Sequence, residues 1–146
     1  MHAEGTRRFA APRAEVYDAL NDPERLAGFV PGVQRVEVHD EAHWTVEARI
    51  PLGLTSLRIA IGFERVEERP PEHARLHGAG RSLGASIAVD TTFDLAEDGD
   101  GTEMRWNAAA EVGGALGRVG SAVLEPAFER QIGRVLTALD RELTPA

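Results

Sequence analysis

The chain contains no cysteine and no lysine. Without cysteine there is no disulfide framework and no thiolate chemistry, as expected in a reducing cytoplasm. All sixteen basic residues are arginine, a bias that fits GC-rich coding and carries no functional meaning by itself. No stretch approaches the roughly 18 uninterrupted apolar residues that a membrane span needs. The opening residues, Met1 to Arg8, lack the apolar run of a secretory signal. Basic residues are outweighed by acidic ones, for a formal charge of −8. That argues against a nucleic-acid binder, whose affinity depends on clustered positive charge. No Ser-His-Asp set, H-E-x-x-H motif or phosphate loop appears. Gly78-x-Gly80 lacks the strand–turn–helix setting of a nucleotide site.

What is present is period. From Ala115 to Leu143 apolar residues recur at steps of three and four, as on one stripe of an amphipathic helix. Gly113-Gly114 precede that run and Thr144-Pro145 end it. As one helix it is roughly 40 Å long, enough to cross a small sheet. Pro126 interrupts it, and a kink is expected near Ala122, where the proline removes a backbone bond. Two readings follow. Either the helix is merely bent and its glycines allow close packing, or the piece before Pro126 is a lid.

Before that helix the period is mostly two. A first strand is expected from Gly5 to Ala10. Ala14–Leu20 reads as a short helix, and Asp22-Pro23 caps and opens another that runs to about Ala27. Strands are then expected over Val33–Val38, Trp44–Ile50, Leu57 to the Pro70-Pro71 turn, His73–Arg81, about Leu83–Leu95, and Thr102–Val112. Turns fall at His39–His43, Pro51–Gly53 and Glu97–Gly101. The expected fold class is α+β in one domain, residues 1–146: an antiparallel meander with one buried face, covered by the long helix.

A curled sheet and a single helix need not meet. Ala48, Gly78, Gly80, Ala108 and Ala110 are small and point inward in this reading. Beneath a helix carrying Gly117 and Gly120 they leave space, and an apolar cavity suits a lipophilic ligand. The expected cavity lining from the sheet is Trp44, Leu57, Ile59, Ile61, Phe63, Leu76, Ile87, Val89, Phe93 and Trp106. The helix contributes Leu116, Val119, Val123, Phe128, Gln131 and Ile132, and the turn after the second short helix contributes Phe29 and Pro31 at the mouth. Gln131 is the one polar group near the helix stripe; it either edges the core or meets a polar head such as a quinone carbonyl. No ionisable residue is expected on the inner face before the helix, so no catalytic residue is assigned. His39 and His43 at a turn read as solvated rather than as metal ligands. His73 and His77 share a face about 13 Å apart at the usual strand rise, too far for one ion, and read as exposed. No metal and no cofactor are expected.

The run Phe9-(x)2-Pro12-(x)3-Val16-Tyr17-(x)2-Leu20-Asn21-Asp22-Pro23-Glu24-(x)-Leu26-(x)4-Pro31-Gly32-Val33 resembles the opening of carbon monoxide dehydrogenase G-subunit proteins. These are START-like (polyketide cyclase/Bet v 1-like) proteins. Gly101-Thr102-Glu103-Met104-Arg105-Trp106 and Ala110-Glu111-Val112-Gly113-Gly114-(x)-Leu116-Gly117-(x)2-Gly120 also match. The resemblance implies a helix-grip fold: a seven-stranded antiparallel curved sheet around a long C-terminal helix, two short helices between strands 1 and 2, and a deep apolar pocket. It implies a lipid- or quinone-like ligand and a role beside a molybdenum hydroxylase, whose cofactor these proteins do not themselves carry. It also implies a link to the membrane. Family members often add a membrane-seeking C-terminal segment; this sequence ends at Ala146, so any membrane contact is expected to be peripheral, at the cytoplasmic face. Two other functions use the same fold: a polyketide cyclase or dehydratase acting in the cavity, and a pure protein-interaction subunit with a filled interior.

Overall fold

The computed structural model describes residues 1–51, 54–82 and 84–143. Leu52-Gly53, Leu83 and Thr144-Pro145, expected at a turn, a strand start and a helix end, lie outside the described residues. Seven strands form one antiparallel curved sheet: β1 (His2–Phe9), β2 (Val33–Val38), β3 (His43–Pro51), β4 (Ser56–Arg69), β5 (His73–Ser82), β6 (Ala85–Asp98) and β7 (Gly101–Gly113). Strands β2 to β7 follow one another as a meander, and β1 pairs with β7 at the far edge. Between β1 and β2, α1 (Arg13–Asn21) and α2 (Pro23–Ala27) carry the chain from one sheet edge to the other.

The local signals explain most boundaries. The Asp22 carboxylate accepts from the backbone N–H groups of Glu24 and Arg25 at 3.1 and 3.2 Å, and Pro23 opens α2, where its missing N–H does no harm. Strand β1 departs from expectation: it begins at His2 rather than Gly5 and ends at Phe9 rather than Ala10. Gly5 is no turn residue. It pairs with Trp106, whose indole lies so close that a Cβ on Gly5 would stand 3.0 Å from the ring.

The single long helix is also corrected. A short α3 (Gly114–Gly117) is followed by α4 (Ser121–Leu143). The break falls at Gly120, whose φ of +91° is a left-handed conformation natural to glycine. Pro126, expected to mark the kink, sits inside α4. It is the sixth residue of that helix, past the first turn, and removes the bond to the Ala122 carbonyl without ending the helix. The break has a physical cause upstream. Leu116 is buried, 1% exposed, and the Ala115 N–H donates to the Gly84 carbonyl at 2.7 Å, so α3 is held at the ends of β6 and β7. The chain must turn to leave that anchor.

Packing is uneven along α4. Only Leu139 and Leu143, near its C-terminal end, are buried. They join Val16, Tyr17, Ala19 and Leu20 of α1 and Phe9, Phe93, Leu95 and Met104 of the sheet in one apolar core. Leu139→Ala should therefore cost about 2–5 kcal/mol, the usual range for a buried leucine. Val123→Ala should change stability by less than about 0.5 kcal/mol, because Val123 is half exposed at 52%. Urea unfolding of the two variants checks this; equal losses would contradict the placement of the core.

Candidate functional site

The inner wall of the sheet is built from side chains lying flat on glycine. Phe63 on β4 pairs across with Gly78 on β5, and a Cβ at Gly78 would stand 2.6 Å from the Phe63 ring. The same ring stacks on Trp44 of β3 at 5.8 Å and 10°. The Arg65 guanidinium covers Trp44 in turn, 5.2 Å from its centroid, a favourable cation–π position. The space that Gly78 was expected to leave is thus taken by Phe63. Gly80 leaves none either, because a Cβ there would meet the Ala60 carbonyl oxygen at 2.4 Å.

The residues chosen from sequence divide into three groups. Trp44, Ile59, Ile61, Leu76, Phe93 and Leu116 are buried. Among them Phe93 belongs to the closed-end core beside Tyr17, away from the expected lining role. Leu57, Phe63, Ile87, Val89 and Trp106 on the sheet are only half-buried. So are Phe29 of the turn, Val119, and Phe128, Gln131 and Ile132 on α4. Pro31 is exposed, and Val123, expected in the lining, faces out. Cross-strand register lines up Phe63, Gly78, Val89 and Ala110 in one row and Ile61, Gly80, Ile87 and Val112 in the next. The half-buried apolar wall is therefore continuous across β4 to β7.

Polar ties hold α4 to the rest of the grip. Arg7 of β1 pairs with Asp140 at 3.2 Å, and Arg25 of α2 with Glu142 at 3.4 Å. The Gln131 side-chain N–H donates to the Pro31 carbonyl at 2.9 Å and ties the middle of α4 to the turn after α2. Gln131 also borders a cleft of about 690 Å³ with Pro31, Arg49, Leu54 and Arg134, at the β3–β4 end of the sheet. The expectation of an inner face free of ionisable groups is corrected: Arg7 and Arg65 lie there. Arg7 sits in a strand whose pattern is too weak to orient it. Arg65 precedes a bulge in β4 that resets the register between Arg65 and Glu67.

On the outer face, His77 and Arg75 share Asp90, at 3.1 and 2.8 Å. His73 was expected to be exposed with them and is not; it is 9% exposed. Its Nδ1 lies 2.6 Å from the Asp94 carboxylate and its Nε2 2.6 Å from that of Glu67. Asp94 is its partner across β5–β6, and the bulge in β4 swings Glu67 to its other side. Alternation alone shows neither. His39 contacts the Thr45 hydroxyl at 2.8 Å and His43 the Asp40 carboxylate at 2.9 Å, both exposed. No group of three or more His, Cys, Asp or Glu among the described residues is placed to hold a metal ion.

Residues 5–144 match the sequence profile of the carbon monoxide dehydrogenase G subunit (CoxG). The chain belongs to the CoxG family. Comparison with curated proteins gives no match. Solved structures share the fold at low identity. A conserved protein from Geobacillus kaustophilus is 20% identical with a TM-score of 0.88, over 98% of this chain and 95% of its own. A protein from Chromobacterium violaceum is 20% identical with a TM-score of 0.74, over 99% of both chains. A START superfamily protein from Mycobacterium smegmatis is 12% identical with a TM-score of 0.72, over 97% and 96%. This CoxG-family chain thus has the START-like helix-grip fold.

The buried histidine of the CoxG-family chain makes its stability depend on pH. Hydrogen bonds to Glu67 and then Asp94 raise the His73 pKa above its ordinary value, against the opposing effects of burial and Arg69. The stabilisation from the protonated ring is complete below about pH 6.5, the unfolded value. It is lost as pH rises through the folded value. Urea midpoints should therefore fall from mildly acid to mildly alkaline pH, and His73→Asn should flatten that slope. A variant with the parent's pH profile would contradict the assignment.

Proposed function

We propose that the chain binds a lipophilic small molecule, lipid- or quinone-like, between the inner face of the sheet and α4. In this reading it acts without catalysis, as an accessory protein of a carbon monoxide dehydrogenase-type molybdenum hydroxylase. The observation that carries the reading is incomplete burial where the fold needs burial most. Phe63, Ile87, Val89 and Trp106 on the wall and Phe128 and Ile132 on α4 keep part of their surface open. Covering 100 Å² of such surface is worth about 2.5 kcal/mol. The inward ionisable groups favour binding over acid–base work. Arg7 is paired with Asp140. Arg65 bonds Asn21 and the Glu41 carbonyl. Family membership supports the partner, which remains this reading's proposal. No described helix is long and apolar enough to cross a membrane. Leu54, fully exposed beside Pro31 at one cleft, suits peripheral contact with a bilayer.

A thermal-shift titration with decylubiquinone and with a long-chain fatty acid tests the binding claim. A ligand at a hundred times its dissociation constant adds about 2.7 kcal/mol, a rise in Tm of roughly 5–11 °C for a chain of this size. Val89→Arg should abolish the rise while leaving the unliganded Tm within a few degrees. No shift with either compound would overturn the reading.

A further inference from the structure

Tyr17 is the single tyrosine of the chain. It sits on α1 with its ring edge-on to Phe93 at 6.3 Å, and its side chain is 4% exposed. Its hydroxyl is covered yet has no hydrogen-bond partner. Buried hydroxyls are rarely left so, because the lost hydration goes uncompensated. Tyr17 lines a cleft of about 550 Å³ between α1 and the end of β4, closed on one side by Pro70 and Pro71.

The charged groups around this cleft divide into engaged and unengaged. Arg65 is the one basic residue lining it, and it is engaged. Its Nε donates to the Asn21 side-chain oxygen at 3.1 Å, and its terminal nitrogens donate to the Glu41 and Asn21 carbonyls. Asp22 is engaged in capping α2. Asp18 and Glu68 make no hydrogen bond or ion pair among the described residues. Two carboxylates with no hydrogen bond or ion pair among the described residues thus border the cleft, the orphaned phenol oxygen lies covered beneath its wall, and all three can accept. Burial first, then Glu68 and Asp18, raise the Tyr17 pKa against the opposite pull of Arg65, so the phenol stays neutral. Ala14 and the two prolines add an apolar wall.

We propose that this cleft binds a cationic nitrogen donor on a short apolar stem, a guanidinium or primary ammonium. The stem lies along Pro70 and Pro71, the N–H groups reach Asp18 and Glu68, and a small shift of the covering side chains brings the Tyr17 oxygen within reach. Such a group is offered by a small alkylguanidine or by an arginine side chain of a partner protein. This site is separate from the apolar wall of the grip and does not depend on the ligand proposed there.

The sole tyrosine makes a direct test available. Full-length protein isotope-labelled at tyrosine Cζ gives one NMR signal, titrated with agmatine and, separately, with a blocked Ala-Arg-Ala peptide. The signal should shift and saturate in the millimolar range, and butanol, which has the stem without the charge, should leave it unmoved. Glu68→Gln and Asp18→Asn should each weaken binding about tenfold, as expected for loss of a charge-assisted hydrogen bond. Both residues are exposed, so both variants should fold. Tighter binding of the peptide assigns the source to a partner protein; tighter binding of agmatine assigns it to a small molecule. No shift with either cation, or an equal shift in both variants, would overturn the proposal.

Discussion

Everything in this fold depends on where the C-terminal helix is pinned. Leu139 is fully buried, and Leu143 lies beside it against α1 and the sheet. The Arg7–Asp140 pair adds a polar tie across the same contact. At that end the curled sheet has two helices to cover it, and the apolar surface is used up. At the other end the short α3, with Leu116 buried, and the N-terminal part of α4 remain, and that part of α4 buries no residue. Curvature makes this unavoidable. A curled sheet presents more inner surface than one narrow stripe of a helix can cover.

The interior answers that shortage partly with its own side chains. Phe63 lies across Gly78, Trp106 across Gly5, and Trp44 stacks on Phe63 with the Arg65 guanidinium over its ring. Small residues therefore bring aromatic rings down onto the sheet instead of leaving holes. What stays half-covered is a flat apolar floor over β4 to β7 facing the loosely held part of α4. In the proposed function this floor is the surface that a flat or flexible greasy molecule covers. It also explains why the proposed binding role and the local geometry agree without any catalytic constellation being required.

Much of the architecture was legible in the residues. Period-two alternation marks the six strands from Val33 onward, and Asp22-Pro23 marks α2 as surely in the sequence as in the structure. The apolar stripe of α4 was readable, but not which part of it is buried. Stripe residues look alike whether or not an opposing element reaches them, and α1 and the sheet residues around Phe9 close over Leu139. The break at Gly120 was hidden behind the louder signal of Pro126. A glycine announces a left-handed turn only when something upstream, here the anchored Leu116, forces one. Arg65 continues the inward alternation of Ile59, Ile61 and Phe63 and was legible in principle, whereas the bulge after it, which alternation cannot register, brings Glu67 to His73 and buries that ring. The orphaned Tyr17 hydroxyl left no signal in sequence at all, since an apolar-face tyrosine looks the same with or without a partner.

The account stands on a helix fixed at one end and loosely covered at the other. Amide hydrogen exchange along α4 measures that directly, because local opening reports the packing beneath each turn. Residues from Val135 to Leu143 should exchange with protection close to that of the central strands. Residues from Ala122 to Arg130 should exchange far faster, and should slow when a lipophilic molecule is bound. Uniform strong protection along the whole helix, unchanged by any such molecule, would mean that the grip is closed and its interior already filled.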